Sequence, residues 1–172
     1  FDGFWDLKHE KRGSLRAALV YLVVTVFVFF YQAIGSGYLV NPRENQTSVF
    51  IHIIGVLLPI MLWVISNWCL TTLFEGEGSL KDIFIACCYA LLPVVLIFIP
   101  TTIASNFVLL EELDLVNVLN SFAFIWAGLL IFSGMMITHD YTVSKNFVTI
   151  LGTLAIMLYY NLAITLIVVV LT

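Results

Sequence analysis

The 172 residues are 62% apolar and 15% aromatic but only 10% charged, with a formal charge of -4 and a mean hydropathy of +1.07. Soluble domains hold roughly 45–50% apolar and about 25% charged residues, so the composition excludes a soluble globular domain and predicts an integral membrane protein. At about 20 apolar residues per helical crossing, the chain has room for several spans and no separate soluble module.

Residues 1–13 mix Phe1, Phe4, Trp5 and Leu7 with Asp2, Asp6, Lys8, Glu10, Lys11 and Arg12. Phe1, Phe4 and Trp5 share one side at helical spacing, which predicts an interfacial segment with aromatics toward the membrane and lysines toward water. The sequence opens on Phe1 without a cleavable signal pattern, and so reads as a piece of a longer chain. A first span is predicted over about 15–39, with Arg16 snorkelling at its start and Gly35 and Gly37 loosening its end. A second covers about 49–74 and holds His52, Pro59, Asn67 and Trp68.

The Glu75-Gly-Glu-Gly-Ser79 turn then reverses the chain. Gly76 and Gly78 are expected to supply backbone angles that other residues avoid, and Ser79 with Asp82 matches a capping box. The third span, about 81–104, carries Pro93 and Pro100 seven residues apart, which predicts two kinks on one face. Residues 105–117, with Glu111, Glu112 and Asp114 among leucines, read as a short amphipathic connection. The fourth span, about 118–138, is rich in small residues, and a polar turn from His139 leads to a fifth over about 147–171. The whole is one all-α domain: a polytopic membrane protein with five transmembrane helices plus the amino-terminal segment.

Basic residues are retained on the cytoplasmic side and so set orientation. With the amino terminus inside, that side holds Lys8, Lys11, Arg12, Arg16, Lys81 and Lys145, and the outer side holds only Arg43. The amino terminus and the 75–82 turn are therefore expected in the cytoplasm and the carboxyl terminus outside.

Ionisable groups at mid-membrane depth mark proton relays and ion-coupled pumps, and the spans carry theirs near the ends. Polarity within the fifth span comes from Asn161 and Thr165, of which Asn161 reads as glue between helices. His139 with Asp140 offers two ligands where a metal site needs three or four, so no metal is expected. Cys69, Cys87 and Cys88 contain no Cys-x-x-Cys pair and read as packing residues. Serine nucleophile motifs, phosphate-binding glycine loops and His-Glu-x-x-His do not occur. The reading is a non-enzyme without cofactor or nucleic-acid partner. Its candidate contact residues for other membrane proteins are Ala86, Ala90, Ala123, Ala127, Gly128 and Gly134, whose small side chains permit close helix approach. A second candidate surface lies on the cytoplasmic side: Trp5, Lys8, Lys11, Arg12, Glu75 and Glu77. For Glu75 and Glu77 the plainer alternative is a pair of solvated turn charges.

Three stretches carry a family likeness: Phe1-Asp-Gly-Phe-Trp-Asp-Leu-Lys-His-Glu-Lys-Arg-Gly-Ser14, Asn67-Trp68 with Leu73-Phe-Glu-Gly-Glu-Gly-Ser-Leu-Lys-Asp82, and Tyr89-Ala-Leu-Leu-Pro93. With them the chain resembles the Yip domain family, five-span membrane proteins named for interaction with Ypt/Rab GTPases, and more closely its bacterial branch. Cys88 stands where eukaryotic members carry the glycine of Gly-Tyr-x-x-x-Pro, and their Asp-Leu-Tyr-Gly-Pro pattern is missing. The resemblance implies a non-catalytic scaffold or accessory subunit in a bacterial cytoplasmic membrane. Bacterial relatives are often encoded beside sugar importers, so ABC-type permease subunits are the implied partners. Two rival readings remain: a small transporter or channel acting as a homo-oligomer, supported by the kinked third span, and a Rab-linked trafficking factor.

Overall fold

The computed structural model describes residues 2–9, 13–41 and 48–171. Seven helices follow in order: α1 Asp2–His9, α2 Leu15–Gly35, α3 Val49–Leu73, α4 Leu80–Ala90, α5 Leu92–Ala104, α6 Leu113–His139 and α7 Val143–Leu171. A short 3₁₀ turn, Leu110–Glu112, precedes α6, and no strand occurs among the described residues. Five stretches are long and apolar enough to cross a bilayer: α2, α3, α4 with α5, α6 with its 3₁₀ turn, and α7. The fold is thus the expected polytopic all-α membrane protein.

The third span is the centre of the bundle. Of its apolar stretch 61% is buried inside the protein, against 17 to 22% in the other four, whose outer faces are left to lipid. It is two helices, broken at Leu91. Pro93 has no N–H to give to the Tyr89 carbonyl and its ring would clash there, so α4 stops and α5 restarts, with the Val94 and Val95 amides both turned to the Leu91 carbonyl. Only one of the two expected kinks is a break, because Pro100 lies within a helix that runs on to Ala104.

Several helix ends differ from the sequence reading. α2 stops at Gly35 rather than near Leu39, because its end is tied sideways to the residues just past α5: Asn106 Nδ2 donates to the Gly35 carbonyl at 2.7 Å and the Gly37 amide donates to Ser105 Oγ at 2.9 Å. A Cβ on Gly37 would overlap the Ser105 carbonyl oxygen, so glycine is required for this approach. The tract read as a connection, Glu111 to Asp114, is the first turn of the fourth span, where acids suit the positive end of the helix dipole. α7 likewise begins at Val143, its first turn closed by the Asn146 amide on the Thr142 carbonyl at 2.9 Å.

Two apolar clusters fill the interior. One gathers Leu22, Ile60, Trp63, Ile83, Cys88 and Met135 with their neighbours from α2, α3, α4 and α6. The other joins Val28, Val94, Val95, Phe98, Ala123 and Ala127 from α2, α5 and α6. Phe98 stands edge-on to both Phe29 (5.3 Å) and Phe124 (5.4 Å), the arrangement aromatic quadrupoles favour.

A candidate site at the turn end of the bundle

The reversal between α3 and α4 is built differently from what its glycines suggest. No glycine has a positive φ; the left-handed residue is Glu75, at φ 55°. It sits just past the end of α3, where the Phe74 and Gly76 amides close back on the Thr71 carbonyl at 3.1 and 2.9 Å. The expectation that Gly76 and Gly78 supply the turn angles is therefore corrected: they are needed for space. A Cβ on Gly76 would stand 2.6 Å from His139 Nδ1 and 2.7 Å from the Tyr141 hydroxyl, and one on Gly78 would stand 2.8 Å from His139 Cε1.

The residue they make room for is His139, the last of α6 and 1% exposed. The Gly78 amide donates to its Nδ1 at 3.3 Å, and its Nε2 lies 3.0 Å from Asn67 Oδ1. Since an amide oxygen only accepts, Nε2 carries the hydrogen and the ring is neutral imidazole. The chain of donors continues from Asn67 Nδ2 to Thr153 Oγ1 at 3.1 Å and from the Thr153 hydroxyl to the Thr149 carbonyl at 2.8 Å. Each member gives once and receives once, so the turn, α3, α6 and α7 are joined by a directional network without an unmatched group along it. Asn146, beside this network, donates from Nδ2 to the Phe132 carbonyl at 2.9 Å, while its buried Oδ1 has no partner.

Asp140, at φ 54°, ends α6 as Glu75 ends α3, and Tyr141 folds back beneath. The Tyr141 ring stacks on His139 at 5.3 Å, its hydroxyl donates to the Phe74 carbonyl at 3.0 Å, and Lys145 Nζ lies 4.5 Å over its face. Burial, then the Glu75 carboxylate, push the Tyr141 phenol up from its ordinary value and keep it a donor.

α1 is clasped to this end at two points. Lys8 Nζ meets Glu77 Oε2 at 3.0 Å, and Phe4 fits against Gly134, where a Cβ would stand 3.0 Å from its ring.

The sequence-derived contact residues divide sharply. Ala86, Ala90, Ala123, Ala127 and Gly134 are all buried, so the close approach they allow is used between helices of this chain. Gly128 alone of that set is exposed, with nothing within 4 Å of a Cβ. Trp5 is 54% exposed, Glu75 and Glu77 are exposed, and Lys11 and Arg12 lie outside the described residues. Cys87 and Cys88 are buried, whereas Cys69, also read as a packing residue, is exposed on the outer side of α3. The network around His139 was missed although its members were visible: Asn67 with Thr71, and Asn146, Thr149 and Thr153, form polar stripes at helical spacing on otherwise apolar spans.

Fold and site together define a five-span membrane protein whose amino-terminal helix is docked on a turn held rigid by a buried histidine. The sequence matches the Yip1 domain over residues 1–165, and the chain belongs to that family. No curated protein and no solved structure matches it.

Proposed function

We propose that the chain is a non-catalytic scaffold or accessory subunit that binds other integral membrane proteins, with ABC-type sugar-import permeases of a bacterial cytoplasmic membrane as the partners. The observation that carries this reading is the preformed surface at the turn end. The His139 network braces the turn from within, so Glu75 and Glu77 stand exposed on an ordered turn to which α1, carrying the exposed Trp5, is joined by Lys8. A surface ordered before binding loses less entropy when it docks. The excess of basic residues on this side supports a cytoplasmic position for this end, within reach of the loops of a partner. Within the bilayer, the exposed Gly128 offers a point of close approach for a partner helix.

The test is a pull-down from native membranes in gentle detergent, with the co-purifying chains identified. Stoichiometric permease subunits are expected, and their loss in a Glu75→Lys, Glu77→Lys chain assigns the contact to the turn. Recovery of the chain alone as a defined oligomer overturns the reading. The break at Leu91 favours a second reading, transport of a small solute, since interrupted helices line substrate sites in many transporters. Solute flux in vesicles holding only this protein supports that reading.

A further inference from the structure

The turn end also contains an open pocket of about 540 Å³ lined by residues of α1, the start of α4 and the end of α6. Its lining is of two kinds. Lys8, Lys81 and Asp82 form the polar side, and Phe4, Ile85 and Ala86 the apolar side. Ile85 lies five residues beyond Leu80, the first residue of α4, which is about 8 Å along the helix axis. The lining therefore extends down the first turns of the third span, from the charged turn toward its apolar interior. A soluble anion would gain nothing from that apolar depth; a molecule with a charged head and acyl chains uses both parts.

The charges on the polar side are unequally committed. Asp82 accepts from the Ser79 amide at 3.2 Å and from the Ser79 hydroxyl, completing the cap of α4. Lys8 is held by Glu77. Lys81 is exposed and forms no ion pair among the described residues. An ammonium without an ion pair among the described residues thus lines a recess of mixed wall, in which Ser79 and Thr138 stand among the apolar residues.

We propose that this cavity binds the headgroup of an acidic phospholipid. Lys81 takes the phosphate, Lys8 stands beside it in its pair with Glu77, and an acyl chain lies along Phe4 and Ile85. Bound lipid would then bridge α1 to the bundle, which makes the docking surface sensitive to membrane composition.

The experiment uses the full chain in neutral detergent and follows retained lipid by native mass spectrometry. The probes are dioleoyl phosphatidic acid, dioleoyl phosphatidylcholine and glycerol 3-phosphate. One phosphatidic acid is expected to stay with each chain, phosphatidylcholine to bind about tenfold more weakly, and glycerol 3-phosphate to displace neither. Lys81→Gln is expected to lower retention of the acidic lipid about tenfold, the worth of one charge-assisted contact. Lys81→Arg keeps it, and Lys145→Gln, on the same end but outside the cavity, leaves it unchanged. Equal retention of the two lipids, or full retention by Lys81→Gln, overturns the proposal. Displacement by glycerol 3-phosphate at the lipid's own concentration assigns the cavity to a soluble phosphate and overturns the lipid assignment.

Discussion

α6 is held along its length by two seams made of opposite materials. In its first half it meets α2 and α5 through Val28, Val94, Val95, Phe98, Ala123 and Ala127, an apolar seam set by ring packing and small side chains. At its end it meets α3, α7 and the turn through His139, Asn67, Thr153 and Thr149, a seam of matched donors and acceptors. In lipid, helices gain nothing from hiding apolar surface from water, so the first seam depends mainly on close fit, with one hydrogen bond across it from Thr101 Oγ1 on α5 to Asn120 Oδ1 on α6 at 2.9 Å. The second depends on groups that would otherwise be buried without partners. One tolerates apolar substitution wherever volume is kept; the other tolerates almost none.

The most severe way to break the comparison is His139→Leu. It removes the acceptor of the Gly78 amide and the donor to Asn67 at once, leaving the buried Asn67 oxygen and the half-buried Gly78 amide unmatched, and is expected to cost about 2–3 kcal/mol. Unfolding by denaturing detergent, followed by circular dichroism, measures it. The double variant Asn67→Leu, His139→Leu should lose less than the sum of the singles, because one shared bond is counted twice. Strict additivity would deny that the seam acts as a unit.

Ala127→Leu tests the apolar seam by overfilling it, at an expected cost of about 1–2 kcal/mol. The neighbouring Gly128→Leu, made in open space, should change stability by less than about 0.5 kcal/mol. The pair also separates folding from function: loss of a co-purifying partner in Gly128→Leu alone places the contact on the outer side of α6.

A smaller effect of opposite sign is expected at Glu75. A residue with a Cβ in the left-handed region carries strain that glycine does not, so Glu75→Gly should stabilise by about 1 kcal/mol. The same reasoning applies to Asp140 at the end of α6. Two helix ends on one side of the bundle that both keep an acid where glycine would be more stable are a reason to look for use of the charge, and at Glu75 that use is the proposed docking surface.

How much of this was legible in the sequence follows from what each signal encodes. The five spans were plain, because the length of an apolar run is fixed by bilayer thickness and needs no knowledge of neighbours. Span ends were misjudged where polar residues form the first turn of a helix: Glu111 to Asp114 and Thr142 to Asn146 read as loop by hydropathy but are helical or capping by backbone bonding. The role of Gly76 and Gly78 was inverted, since a glycine marks a backbone special in either angle or approach and the sequence does not say which. For the same reason Ala86, Ala123 and Ala127 announce close contact without naming the partner, and their partners lie within this chain. The His139 network was unread because its members are far apart in sequence; only the helical spacing of Asn146, Thr149 and Thr153 pointed to a seam.

The clasp of α1 repeats the comparison in miniature and gives the smallest effect. Lys8 with Glu77 is an ion pair at the protein surface, the Glu77 side chain being 66% exposed, and such pairs contribute about 0–1 kcal/mol. Phe4 in the space left by Gly134 is a fitted apolar contact. Lys8→Gln should therefore leave α1 docked, with global stability changed by less than about 0.5 kcal/mol, whereas Gly134→Val should displace it while the five spans stay folded. Amide hydrogen exchange over residues 2–9 distinguishes the two: protection should persist in the first variant and fall in the second. The reverse result would make the charge pair the true clasp. α1 would then be released by salt rather than by anything that fills the Gly134 socket, and the proposed docking surface would be under ionic control.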